Sequence, residues 1–166
     1  MSKAFTKEDD GTLPERLPDL PISQHPNHVT PRGLIQLQNR AAALAAEIAR
    51  LRHRREFLPD LTPLAVAERD LRYTEARLAS AIPVMPPETP DQTVRFGATV
   101  TVTDENGKTA IYRIVGEDES DPAKGLIAAH SPLARALIEA GSGDIVEWPK
   151  PAGMVELEII NVTYTA

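Results

Sequence analysis

Apolar residues in two stretches of the chain recur at alternating intervals of three and four, the mark of a helix that buries one stripe. Leu34, Leu37, Ala41, Leu44, Ile48 and Leu51 make the first seam; Leu64, Ala67, Leu71, Thr74, Leu78 and Ala81 make the second. Each follows a Thr-Pro pair, Thr30-Pro31 and Thr62-Pro63. A threonine hydroxyl can cap free helix amides, and proline in the first helical position forfeits no hydrogen bond. Only the short segment 57–61 joins the two periodic stretches, so the helices must turn back and bury both seams in one antiparallel hairpin over residues 30–82. A first helix of about 27 residues would reach roughly 40 Å at ~1.5 Å per residue.

Pro83, Pro86, Pro87 and Pro90 then stop any helix and mark residues 83–93 as a linker. Beyond it the period falls to two. Residues 98–103 and 108–115 alternate around Asp104-Glu105-Asn106-Gly107, whose Asn-Gly supplies the positive φ of a hairpin turn. Residues 126–129 form a short apolar strand, and Ser131-Pro132 opens a short helix that stops before Gly141. Residues 144–148 and 155–164 complete an antiparallel set, giving an α+β domain over 94–166. Residues 1–29, with Pro14, Pro18, Pro21 and Pro26 and no sustained apolar period, are expected to be an extended or disordered arm.

Composition narrows the function classes. Aromatics are 4% of the chain, too few to line a large cofactor pocket, and the absence of Cys excludes disulfides and thiolate chemistry. No apolar run approaches the ~20 residues that span a bilayer. With the polar start Met1-Ser2-Lys3, this leads to an expected cytoplasmic location without membrane contact. The net charge of -6 is unevenly spread: residues 31–82 hold nine Arg against six acids, so the rest of the chain is strongly acidic. That split suits two surfaces with different partners, or simply solvated helix faces. Arg50, Arg52, Arg54 and Arg55 could steer RNA phosphates by Coulomb attraction. His25, His28, His53 and His130 lack metal-ligand spacing, so no metal or cofactor of the chain's own is expected. Ser131 beside His130 reads as a helix cap rather than a nucleophile.

Four blocks carry a family resemblance. Val94-Arg95-Phe96-Gly97-Ala98, Tyr112-Arg113-Ile114-Val115-Gly116-Glu117-Asp118-Glu119, Ser131-Pro132-Leu133-Ala134-Arg135-Ala136-Leu137 and Gly143-Asp144 precede a terminal Ile-x-x-Val-x-Tyr. In order and spacing they resemble the C-terminal domain of the GreA/GreB transcript-cleavage factors. Thr30-Pro31-Arg32-Gly33-Leu34 and Tyr73-x-x-Ala76-Arg77 resemble parts of the Gre helical hairpin. The resemblance implies a coiled-coil hairpin followed by a β domain like the FK506-binding prolyl isomerases. It also implies a monomer that docks on RNA polymerase through Ser131, Pro132, Arg135, Gly143 and Asp144.

In that family the hairpin enters the secondary channel, and tip acids help hold a Mg²⁺ with which the polymerase hydrolyses the 3′ end of a backtracked transcript. The factor is not itself an enzyme and meets the RNA 3′ end only indirectly. Two metals flanking a phosphate stabilise the attacking and the leaving oxygen, and Mg²⁺ favours carboxylates. Here the sequence departs from the family pattern of two acids separated by two residues. With Tyr73 setting the register, Val66 and Arg69 fall at the acidic positions; with Asp60 as first acid, Pro63 falls at the second. Asp60, Glu68 and Asp70 remain the candidate tip acids, and Asp60 the candidate ligand for a Mg²⁺ shared with the polymerase. The alternatives are therefore a factor that modulates or stimulates cleavage and a paralogue that occupies the channel without promoting it. A prolyl isomerase would have to use Phe96, Tyr112, Trp148 and Tyr164, and a plain coiled-coil adaptor leaves the four blocks unexplained.

Overall fold

A computed structural model describes residues 16–165, so the expectation for residues 1–15 of the arm lies outside the described residues. Along the chain, β1 (His28–Val29), α1 (Pro31–His53) and α2 (Thr62–Ser80) are followed by β2 (Ile82–Pro83). Then come β3 (Ala98–Asp104), β4 (Thr109–Val115), β5 (Leu126–Ala128), α3 (Pro132–Leu137), β6 (Ile145–Lys150) and β7 (Gly153–Tyr164). No described helix is long and apolar enough to cross a membrane.

The helices pack as an antiparallel hairpin along the expected seams. Ile48, Leu51, Leu64 and Ala67 are buried together, with Leu44, Leu58 and Leu71 packed against them. Thr30 caps α1 as its position predicts, the hydroxyl accepting from Gly33 N at 2.9 Å. Two local expectations need correction. The first helix has 23 residues rather than about 27, because Arg54 leaves the helical region (φ -104°, ψ 10°) and a 3₁₀ turn, Arg55–Phe57, begins the reversal. Thr62 is not the cap of α2. It lies inside the helix, and the Asp60 carboxylate accepts from its amide (2.8 Å) and its hydroxyl (2.6 Å). A carboxylate two residues upstream is the stronger acceptor and displaces the hydroxyl from that duty.

The second unit is a five-stranded sheet in the order β5-β4-β3-β7-β6. The β3–β4, β3–β7 and β6–β7 pairs are antiparallel, but β5 runs parallel to β4, so the set is not wholly antiparallel as expected. The reason lies in residues 116–125, which form two 3₁₀ turns, Glu117–Glu119 and Pro122–Lys124, and carry the chain back alongside Arg113 on β4's edge. The helix α3 closes one face. Val94, Val100, Val102, Ile114, Leu133, Ala134, Leu137, Ile159 and Val162 form the centre of this core.

Residues 16–29, expected as part of an extended or disordered arm, run without helix up to β1 and are tied down where the two units meet. The parallel β1–β2 pair brings the end of the arm against the start of the linker, with Ile82 N donating to Asn27 O (2.8 Å) and Val84 N to Val29 O (2.9 Å). Further back, the Arg72 guanidinium on α2 donates to Asp19 and to the Leu17 carbonyl. Backbone groups left unpaired by an irregular, proline-rich segment are thus satisfied by α2 and the linker rather than by water alone.

Candidate functional site

Two places carry the charged groups that the sequence singles out: the base of the hairpin and its tip. At the base, Arg77 of α2 is 1% exposed. Its guanidinium donates to Asp118 Oδ2 (2.6 Å), Asn27 Oδ1 (2.7 Å) and Glu117 Oε2 (3.3 Å). Asn27 answers by donating to the Arg77 carbonyl at 2.8 Å. Tyr73, one turn earlier, donates its hydroxyl to Asp118 Oδ1 at 2.8 Å. Burial, and then the Asp118 carboxylate that accepts its proton, push the Tyr73 hydroxyl above its ordinary pKa.

The third acid of this loop reaches α1. Glu119 Oε1 accepts from the Thr30 hydroxyl at 2.7 Å, so one threonine both caps the helix and binds the β domain. Its carboxylate leaves no room at Gly33, where a Cβ would come within 2.2 Å of Oε2. Gly116, which opens the acidic loop, is equally constrained: a Cβ there would meet His28 O at 2.6 Å. The Tyr73-x-x-Ala76-Arg77 and Gly116-Glu117-Asp118-Glu119 blocks therefore face each other, joining hairpin to sheet by a buried guanidinium held by two acids and Asn27. Sequence reasoning found both blocks but not their contact. A buried arginine breaks the apolar seam rule, and only the cluster of acids far along the chain hinted at a partner.

At the tip, the candidate acids are all engaged. Asp60 is exposed and serves α2 as described, and the bonds from the Thr62 hydroxyl and then its amide hold the carboxyl below its usual pKa. Glu68 accepts from Arg52 Nη2 at 2.7 Å across the hairpin. Asp70 accepts from Arg69 Nη2 at 2.8 Å, with Arg40 Nη2 at 4.0 Å. Glu68 and Asp70 stand roughly 9 and 12 Å along the α2 axis from Thr62, at ~1.5 Å per residue. The structure thus does not bring the three acids together; only Asp60 lies in the reversal itself, beside the exposed Glu56 and Phe57. The four arginines proposed to steer RNA are all exposed, Arg50 and Arg52 at the end of α1, where they pair with Glu47 (2.6 Å) and Glu68, and Arg54 and Arg55 in the reversal that follows.

The docking candidates sit around α3, which packs against β6. Ser131 caps the helix, its Oγ accepting from Ala134 N at 3.3 Å, as its place before Pro132 predicts. Pro132 and Arg135 are exposed on the helix. Gly143 and Asp144 form the turn into β6: Gly143 has φ 92°, and Asp144 Oδ2 accepts from Gly141 N at 2.7 Å.

A family model described as "Transcription elongation factor, GreA/GreB, C-term" matches residues 89–164. The transcription elongation factor GreA of Alkalilimnicola ehrlichii is 39% identical over 127 residues, which cover 75% of this chain and 80% of that protein. The GreA of Pseudomonas syringae pv. tomato is 37% identical over 123 residues, 72% of this chain and 77% of that one. Among solved structures, the elongation factor GreA/GreB from Nitrosomonas europaea is 27% identical, with a TM-score of 0.42 over 82% of this chain and 98% of its own.

Proposed function

Because the chain belongs to the GreA/GreB family of transcription elongation factors, we propose that it binds RNA polymerase through the α3–β6 region, places its hairpin in the secondary channel and modulates cleavage of backtracked transcripts. The observation that carries this reading is the junction. A buried Arg77, bonded to Asp118, Glu117 and Asn27, gives the hairpin a fixed base on the β domain. A docked domain can aim a rod into a channel only if the rod does not swing. The second asset is the arginine-rich end of α1, which suits a path lined by RNA phosphates.

The chemistry of hydrolysis belongs to the polymerase, which makes this chain an accessory factor. Asp60 is the residue that would contribute an oxygen to a shared Mg²⁺, since its Oδ1 takes both bonds from Thr62 and leaves Oδ2 outside them. One carboxylate suits a hard cation that keeps most of its waters. Bound there, Mg²⁺ would supply Lewis-acid polarisation of the scissile phosphate.

A second reading, occupancy of the channel without promotion of cleavage, is favoured by a specific observation. Glu68 and Asp70 are paired with arginines and set back along α2. Mg²⁺ bonds of ~2.0–2.1 Å do not reach across a helical turn. Backtracked complexes assembled with purified polymerase separate the two. Faster release of the short 3′ RNA fragment on adding this protein supports the first reading. Inhibition of a cleavage-active GreA by competition supports the second. Absence of both, with no binding to polymerase, contradicts the proposal.

A further inference from the structure

Beside the Arg77 junction, and sharing Glu117 with it, the arm and the sheet bring together residues that the sequence keeps far apart. His25, Glu117 and His130 each offer one ligand atom, and these atoms all lie within 4.8 Å of one another. The two imidazole rings stack at 4.3 Å between centroids with planes 10° apart, and His130 Nδ1 is 3.3 Å from Glu117 Oε1. They line an open cleft of ≈ 170 Å³ together with Pro26, His28, Phe96 and Ala129. We propose that His25, His130 and Glu117 form a binding site for a divalent transition-metal ion of the zinc class, which clasps the N-terminal arm to the β domain.

The donor set decides the class of ion. Two imidazole nitrogens and one carboxylate oxygen suit zinc and its neighbours, whereas Mg²⁺ and Ca²⁺ prefer oxygens throughout. Three protein ligands with an open fourth position are a common zinc arrangement, and metal–ligand bonds of ~2.0–2.1 Å place tetrahedral ligands ~3.3 Å apart. The three atoms therefore need to close by up to about 1.5 Å, which the exposed His25 side chain can do by rotating out of the stack.

The surroundings are already built for this. Glu117 is oriented from outside the cluster, Oε1 accepting from Ser23 Oγ at 2.7 Å and Oε2 from Arg77 Nη2 at 3.3 Å. Such outer partners fix a ligand's orientation and tune its affinity. His25 is held near the sheet because Asn27, two residues on, is bonded to Arg77 in both directions. His130 is placed by the turn in which Ser131 N donates to Ala128 O at 2.9 Å. The site rests on none of the polymerase-binding argument, so its test stands apart from that reading.

The test is a titration of the full, metal-stripped chain with Zn²⁺ by calorimetry, and with Co²⁺ to read its visible d–d bands as a report of nitrogen ligation. One ion per chain is expected, with a rise in melting temperature and slower proteolysis of the arm when Zn²⁺ is present. His25→Ala and His130→Ala should each weaken binding at least about tenfold and abolish the thermal shift, while His53→Ala, remote from the cleft, keeps both. Affinity should fall as pH is lowered, because protons compete for the imidazoles. Circular dichroism of the metal-free variants establishes that they fold, and a fully folded His25→Ala that binds Zn²⁺ as the parent does overturns the proposal. So does loss of binding in His53→Ala, or the absence of saturable one-per-chain binding in the parent.

Discussion

Replacing Arg77 with methionine keeps the aliphatic bulk at the hairpin base and removes the charge. Asp118 and Glu117, whose side chains are 13% and 21% exposed, would then face each other without their cation, and Asn27 Oδ1 would lose its donor. Removing one partner of a buried ion pair costs ~3–5 kcal/mol. Partial exposure lets the two carboxylates recover some hydration, which places the expected loss near the lower end, about 3 kcal/mol. For a chain of this size that corresponds to a fall in Tm of roughly 6–12 °C. Urea unfolding followed by circular dichroism gives the free energy directly. Asp118→Asn should cost less, and the double variant should be less destabilised than the sum of the two by ~1 kcal/mol or more, since the residues share one network. A loss below ~1 kcal/mol for Arg77→Met, or strict additivity with Asp118→Asn, would refute the view that this guanidinium joins the two units.

The same junction makes Gly33→Ala destabilising although alanine is the better helix former: the new methyl must expel Glu119 from its bond to Thr30. A net cost of ~1–2 kcal/mol is expected from overpacking and the lost Thr30–Glu119 bond, less the helix gain, and in a Glu119→Ala background the cost should vanish or reverse. At the end of the linker, two bonds from Arg95 and one from the Thr93 amide lower the Asp91 carboxyl from 3.8 to about 2. A depressed carboxyl pKa stabilises the fold at neutral pH and stops doing so as pH falls through 3.8 toward about 2. Asp91→Asn should therefore flatten the melting-temperature profile across that window and leave its slope at higher pH unchanged. If cleavage is stimulated at all, Asp60→Ala should reduce it more than Glu68→Ala or Asp70→Ala, with polymerase affinity equal in all three; a loss confined to Asp70→Ala would shift the metal ligand along α2.

The seams of α1 and α2 were legible because burial along a helix has a period that alternates with the polar face, and residues such as Ile48, Leu51, Leu64 and Ala67 obey it. The β3–β4 hairpin was legible for a similar reason, with Asn106-Gly107 marking its turn. The parallel placement of β5 was not, because a three-residue strand carries no directional signal and its orientation is fixed by two 3₁₀ turns. The reading of Thr62 as a cap failed for want of a rule that ranks a carboxylate against a hydroxyl when both stand near a helix start. The hairpin base was visible only as two separate blocks. Arg77 is polar where a core residue would be apolar, and its partners Asn27 and Asp118 lie on opposite sides of it in the chain. The histidines illustrate the same limit: spacing rules detect ligands on one element, whereas His25, ahead of β1, and His130, after β5, meet only in the folded chain.

On the function proposed above, the hairpin tip would lie inside the polymerase channel while the β domain holds the rim. Phe57, 81% exposed in the reversal between α1 and α2, is the position from which to measure it. A photo-crosslinking side chain placed there, irradiated in a complex with purified polymerase, should attach to polymerase segments that line the secondary channel near its catalytic centre. Crosslinks only to the outer surface of the polymerase, in a complex that still forms with full affinity, would contradict the account.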